Sequence, residues 1–377
     1  MMALRGERLD KPSYAILRSL KGGRTGDVYE VDHKVFGRKC VQKTYSTLGL
    51  EDALAHQEPR LLHSIEHPHV VEVLEAQYDP DIDDAITFVT VFYEGGSIAN
   101  AFDEGYRFSI HQSMRMTIEL LDALAHVHTD QELRVVHRDV KPGNGFLDAD
   151  RRTFYLGDWG SAARMEEDGT VAGIEGSPLY IPPEAGPADG RMGVTGDLYG
   201  AGLTLFEMLN GPFDYASISY EQVDRRLAKG QRALPESAFV FAPHIPSRLR
   251  TVVRKAIRAN PNERYQTASK FITALNNIEC IDWTHTEGDD LDGTWEGSWP
   301  PKARIDKRRR YRVRSYLLGG GRQRGMRRLE AYQAPSATAG FSRFGVADDT
   351  VEADDREAVD LFFAAVEAKA AQRAPAR

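Results

Sequence analysis

Val136-His137-Arg138-Asp139-Val140-Lys141-Pro142-Gly143-Asn144 sets one carboxylate, two cations and an amide within nine positions, and Asp158-Trp159-Gly160 follows fourteen residues after Asn144. A His-Arg-Asp triplet alone says little. The loop, the second triplet and the gap between them are specific together, because few chains place so many special residues in that order by chance. Just upstream, residues 113–128 carry Met116, Ile118, Leu120, Leu121, Leu124 and Val127 on one side of a long amphipathic helix. Further back the chain reads as strands at 70–74 and 86–92, a strand through Val41-Gln42-Lys43, and a hairpin from 14–20 to 28–31. The turn of that hairpin is Lys21-Gly22-Gly23-Arg24-Thr25-Gly26. Residues 51–65 have helical spacing through Leu54, Leu61, Leu62 and Ile65, with Pro59 expected to interrupt or kink the helix. Downstream, 197–209, 249–259 and 268–278 read as helices.

On these residues the sequence resembles the protein kinase family, whose catalytic loop reads H-R-D-x-K-x-x-N and whose metal loop reads D-F-G. The resemblance covers about residues 14–278. It implies an α+β, bilobal fold, with a β-rich N-lobe over about 14–93 and a helical C-lobe over about 94–279. It also implies a serine/threonine protein kinase that uses ATP and Mg²⁺ and acts on a protein substrate with a Ser or Thr acceptor. Lys141 marks that branch. Phosphoryl transfer leaves a protein little covalent work beyond holding a charged nucleotide in line with a hydroxyl. The roles follow by resemblance. Asp139 accepts the hydroxyl proton, Lys141 neutralises the γ-phosphate, and Asn144 and Asp158 offer oxygen to Mg²⁺.

Gly23 and Gly26 match the second and third family glycines, with Gly22 beside Lys21 at the first and Val28 at the right offset. Lys43 stands where the family lysine grips the α- and β-phosphates, and Glu58, ten residues before Pro68 of His67-Pro68-His69-Val70-Val71, is its expected partner. Thr90 falls at the back of the adenine pocket. Val91 and Tyr93 are expected to offer backbone groups to adenine, and Ser97 to lie near the ribose. Trp159 replaces the usual Phe. Gly176-Ser177-Pro178-Leu179-Tyr180-Ile181-Pro182-Pro183-Glu184 resembles G-T-x-x-Y-x-A-P-E. Ser177 is then expected beside the catalytic Asp and Lys, Glu184 paired with Arg264, and Asp197 under the catalytic loop. Arg138 marks kinases that are often switched on by phosphorylation, and Thr170 is the expected regulatory hydroxyl.

Composition sets limits on the rest. The 377 residues are 41% hydrophobic and 28% charged, as in ordinary globular chains. No apolar run approaches the roughly 20 residues of a membrane span; 198–209 is broken by Gly200, Gly202 and Glu207. Residues 1–10 lack the apolar core of a secretory signal. Only Cys40 and Cys280 are present, which suits a reducing cytoplasm. His63, His67 and His69 cluster around Pro68, which reads as a turn between helix and strand rather than a zinc site.

Residues 1–280 carry 31 Lys and Arg against 40 Asp and Glu, whereas 281–377 carry 17 against 16 in segregated blocks. We therefore expect an N-terminal extension at 1–13, a linker at 280–293, a separate basic α+β module at 294–370 and a tail at 371–377. Arg310, Arg312 and Arg314 share one face of an expected strand, and Arg322, Arg324, Arg327 and Arg328 extend it. Residues 302–328 suit a polyanion or nucleic acid, or alternatively dock on the acidic kinase domain. Three functional classes compete: an active, autophosphorylating kinase, a pseudokinase scaffold, and a kinase regulated by polyanion binding. The substrate, pathway and oligomeric state are not legible in the sequence.

Overall fold

The computed structural model describes residues 13–20, 26–48, 56–78, 84–173, 176–288, 291–299, 308–346 and 348–372. Strands β1 (Tyr14–Leu20), β2 (Asp27–His33), β3 (Arg38–Ser46), β4 (Val73–Tyr78) and β5 (Ala85–Val91) form one antiparallel sheet in the order β1-β2-β3-β5-β4. Its register sets Lys43 between Val28 and Phe88. Gly26 enters β2 at φ +149°, where a Cβ would lie 2.4 Å from the Thr44 carbonyl oxygen, so no other residue fits there. Helix α1 (Gln57–Ser64) follows β3. Pro59 does not interrupt it. Pro59 occupies the third position of the first turn, where an amide has no intrahelical acceptor, so the missing N–H costs no bond.

The second lobe is helical. Short helix α2 (Ile98–Asp103) leads into α3 (Ile110–Thr129), whose N-terminus Ser109 caps by accepting from the Gln112 amide. Two-stranded pairings follow: β7 (Gly145–Leu147) with β8 (Phe154–Leu156), β6 (Val135–Val136) with β9 (Ala163–Arg164), and β10 (Val171–Ala172) with β11 (Arg191–Met192). Helix α4 (Val194–Asn210) is buried from Gly196 to Leu209, as its nearly unbroken apolar sequence requires. A Cβ on Gly200 would stand 2.6 Å from the Val140 carbonyl oxygen, so this glycine lets α4 press against the catalytic loop. Helices α5 (Tyr220–Leu227), α6 (Ser247–Ala256) and α7 (Ala268–Asn276) complete the lobe. Among the described residues, no helix is long and apolar enough to cross a membrane.

Beyond α7 the chain stays packed on the C-lobe. Residues 280–293 are not a linker: Cys280, Ile281 and Trp283 are fully buried, and β12 (Thr284–Gly288) starts the next sheet. The acidic, glycine-containing 287–293 stretch suggested a tether, but the apolar residues just before it anchor the segment to the C-lobe. The Ile110 amide donates to the Trp283 carbonyl at 3.0 Å, and the His111 amide to Asp282 at 2.8 Å. Strands β13 (Gly293–Trp299), β14 (Arg309–Leu317) and β15 (Arg327–Ala334) extend the sheet. Two short strands, β16 (Ser342–Arg343) and β17 (Asp349–Val351), both pair with β15. Helix α8 (Arg356–Gln372) closes the tail with Val359, Phe362, Phe363 and Val366 buried. These residues and the C-lobe helices share one continuous apolar core, so the C-terminal α+β unit is docked on the lobe.

Part of the basic stretch is paired from within. Arg312 stands opposite Glu296 and pairs with it, and Arg328 pairs with Asp348 at 3.0 Å. Arg327 is buried on Asp292, the Leu291 and Ala353 carbonyls and Ser315. Lys302 lies outside the described residues.

Glu367 of α8 accepts the Ile281 amide at 3.1 Å and the Trp283 indole at 2.9 Å on one oxygen. Burial pushes its carboxyl from 4.5 up to about 7, against the pull of those donors. Between these two values the folded protein holds a proton that the unfolded chain has lost. The group's contribution to stability is therefore complete below pH 4.5 and is lost as pH rises to 7. Above that window the penalty is on the order of 3 kcal/mol. Glu367→Gln keeps the accepting oxygen and has no proton to lose, so it is expected to melt higher than wild type at pH 8 and alike at pH 5. Equal differences at both pH values would refute this account.

Candidate active site

Two clusters of charge hold the expected catalytic residues. In the first, the Lys43 ammonium donates to Glu58 at 2.9 and 2.7 Å and reaches Asp158 at 3.4 Å. Burial works against the cation, but the two carboxylates outweigh it and hold Lys43 protonated above the usual lysine value. Burial raises the Glu58 carboxyl while Lys43 draws it back. Asp158 is the open member, with a side chain 41% exposed.

In the second, Asp139 is held from three sides. Lys141 Nζ donates to its Oδ2 at 2.6 Å and Asn144 Nδ2 to the same oxygen at 3.0 Å, while the Ser177 amide donates to Oδ1 at 3.0 Å. Lys141 also donates to Ser177 Oγ at 2.7 Å. The clusters are tied together, since the Gly157 amide donates to the Asn144 carbonyl at 2.9 Å, one residue before Asp158.

The loop that carries Asp139 is strained and braced. Arg138 has φ +68° and Asp158 φ +57°, left-handed values that cost a residue with a side chain roughly 1–3 kcal/mol and persist only where surroundings enforce them. For Arg138 the brace is Asp197, which accepts the His137 and Arg138 amides at 2.8 and 2.9 Å and bonds His128 at 2.8 Å. Burial alone would raise the Asp197 carboxyl; the bonds from His128 and the His137 amide reverse that and hold it below the usual range. Trp159 is buried edge-on to His137, 4.6 Å between centroids. Glu184 and Arg264 pair through two bonds of 2.8 and 2.7 Å, with the Arg264 side chain wholly buried.

The remaining expected residues fall less uniformly. Gly22 and Gly23 lie outside the described residues. Val28 stands beside Lys43, and Thr90 is buried on β5. The Val91 amide donates to the Glu72 carbonyl, so only its carbonyl is left to meet a base. Tyr93 stacks on Tyr155 at 4.2 Å. The buried Ser97 hydroxyl caps α2 in a reciprocal pair with Asn100. The serine–asparagine spacing of three was the available signal. Arg138 bonds the Ser161 and Ala172 carbonyls. The cation on Thr170 Oγ1 is Arg191, at 2.7 Å, a residue no motif marks.

Asn144 donates its amide N–H to the Asp139 carbonyl and carboxylate, which leaves its side-chain oxygen as an acceptor, and Asp158 keeps a half-exposed carboxylate. These are hard oxygen donors of the kind Mg²⁺ takes. An ammonium on a carboxylate pair, a tethered aspartate and two cations for anionic oxygen can together hold a triphosphate against a hydroxyl nucleophile.

A strand lobe over a helical lobe, with this cleft between them, defines the protein kinase class. Residues 14–274 match the protein kinase domain model, and the chain belongs to the eukaryotic-like serine/threonine protein kinase family. It is 27% identical over 274 residues to a probable serine/threonine-protein kinase of Streptomyces coelicolor, covering 69% of this chain and 38% of that one. It is 28% identical over 265 residues to serine/threonine-protein kinase PrkC of Bacillus subtilis, covering 68% and 39%. Against serine/threonine-protein kinase ULK3 of Xenopus laevis it is 27% identical over 278 residues, covering 71% and 56%. The chain thus spans well under two thirds of each of these relatives.

Proposed function

We propose that this chain is an active serine/threonine protein kinase that transfers the γ-phosphate of ATP to hydroxyls of protein substrates and to its own. The observation that carries the reading is the tethering of Asp139, Lys141 and Asn144 to the Lys43–Glu58–Asp158 cluster through the Gly157–Asn144 bond. Lys43, fixed by Glu58, holds the α- and β-phosphates. Asp139 orients the acceptor hydroxyl and takes its proton as the oxygen bonds to the γ-phosphorus and the bond to ADP breaks. Lys141 meets the charge on the transferring group. A divalent cation on Asn144 and Asp158 would neutralise phosphate charge. All six groups with a chemical role are present, which favours this over a pseudokinase scaffold.

Radiolabelled ATP, Mg²⁺ and casein as acceptor test the reading. Phosphoserine and phosphothreonine without phosphotyrosine are expected, and nucleotide binding without transfer would establish the scaffold instead. Lys43→Met removes the phosphate contact and leaves Glu58 buried without its cation. Transfer is expected to fall about 10²–10³-fold, and the melting temperature to drop because a buried carboxylate has lost its cation; a loss of transfer under tenfold would overturn the role of Lys43.

Thr170 is the regulatory hydroxyl in this reading, and its phosphate pairs with Arg191, which already touches it. Site mapping of the autophosphorylated chain checks this: phosphate absent from Thr170 would remove it.

A further inference from the structure

The pairing of β14 with β15 sorts their side chains onto two faces. Tyr311, Val313, Leu329 and Ala331 are buried in the core. On the other face Arg312 stands opposite Tyr332, Arg314 opposite Glu330 and Tyr316 opposite Arg328, with Arg343 beside Tyr332. Cations and rings alternate there. Arg310 and Arg312 lie over Phe341 at 4.6 and 4.0 Å, and Arg343 over Tyr332 at 4.6 Å.

The carboxylates of this face are already engaged. Glu296 holds Arg312, Glu330 holds Arg343, and Asp348 holds both Arg328 and Arg343. Arg314 is exposed, and its cross-strand neighbour Glu330 is bonded instead to Arg343 and the Tyr332 hydroxyl, at 2.9 and 2.8 Å. Arg322 and Arg324 are exposed on the loop that joins the strands. Among the described residues, none of these three arginines has an ion-pair partner. Tyr316, 38% exposed, lies 5.9 Å from the Arg314 guanidinium. The loop is fixed at its base, where the Leu318 amide donates to the Met326 carbonyl and the Gly325 amide to the Leu318 carbonyl, both at 2.8 Å. Gly321 and Gly325 supply the positive φ of its turns. Gly319 and Gly320 do not, and a Cβ on either would meet nothing within 4 Å. The fold has no use for glycine at those two positions, whereas a partner approaching the backbone from outside does.

We infer that this face and its loop bind single-stranded nucleic acid. Arg314, Arg322 and Arg324 meet phosphates, whose geometry the guanidinium fork matches, and a base stacks on Tyr316. Charge alone would suit any polyanion. Rings set among the arginines select a partner that offers flat faces of its own, which an acidic peptide lacks and a duplex keeps stacked inside. Phosphoryl transfer uses none of these residues, so loss of this binding and loss of transfer are separate results.

Fluorescein-labelled oligo(dT) and oligo(U) of about 15 nucleotides, near the upper end of single-strand site sizes, test the proposal. The full chain is titrated into each by anisotropy at several salt concentrations, beside a duplex of the same length and polyglutamate. Saturable binding of at least one single strand is expected, tighter than either control. On charge alone the duplex, with twice the phosphates, would bind better. Arg314→Gln, Arg322→Gln and Arg324→Gln together change only exposed side chains, and are expected to flatten the log–log salt slope by about 2. Tyr316→Ala is expected to weaken binding about tenfold. The proposal is overturned if neither single strand saturates, if the duplex or polyglutamate binds as tightly, or if either set of substitutions leaves binding unchanged.

Discussion

Asp139→Asn is expected to leave the fold intact and to lower phosphoryl transfer by about 10³-fold or more, the upper part of the range for losing a general base. Proton acceptance is only part of the loss. Both carboxylate oxygens of Asp139 receive donors: Lys141 and Asn144 on one, the Ser177 amide on the other. An asparagine amide in either orientation turns an N–H toward one of those donors, so the acceptor hydroxyl also loses its fixed reference point. The measurement is single-turnover transfer at saturating ATP, beside a nucleotide-binding titration. Rates within tenfold of wild type would remove Asp139 from the chemistry.

The second large effect concerns stability. Ending the chain at residue 279 removes Ile281, Trp283, Trp295 and Phe363 from the core they share with the C-lobe. It also leaves Arg250 without Asp360, its ion partner at 2.7 Å. Burying one large apolar side chain is worth about 1.5–3 kcal/mol, and only part of that burial is against the C-lobe. A net loss of roughly 5 kcal/mol is a large share of the 5–15 kcal/mol that holds a typical domain. Melting is expected about 10–20 °C lower, with exposed apolar surface and aggregation. A truncated chain that melts with the full-length protein would show that the tail contributes nothing to the lobe.

The candidate site was legible because its chemistry is concentrated in residues that few other uses would place together. Asp139, Lys141, Asn144 and Asp158 are set by local loop spacing, and Lys43 and Glu58 by a strand and a helix that the apolar pattern locates. The misreadings concern what a side chain does for its own neighbourhood. Ser97 was expected near a ribose, and its capping pair with Asn100 went unread. Pro59 reads as a breaker until the helix start is known, two residues earlier. Which arginines of β14 meet a carboxylate is hidden because strand register is not written in composition; Glu296 opposes Arg312 only once β13 and β14 are paired. Arg191 escaped notice since it meets Thr170 across a pairing of two-residue strands.

The shared core also sets what can be transplanted. A recombinant that exchanges only the residues matching the kinase model would inherit a lobe with an open seam. The graft that keeps its footing runs through α8, and any foreign partner for this lobe must bring its own substitute for Trp283 and Phe363.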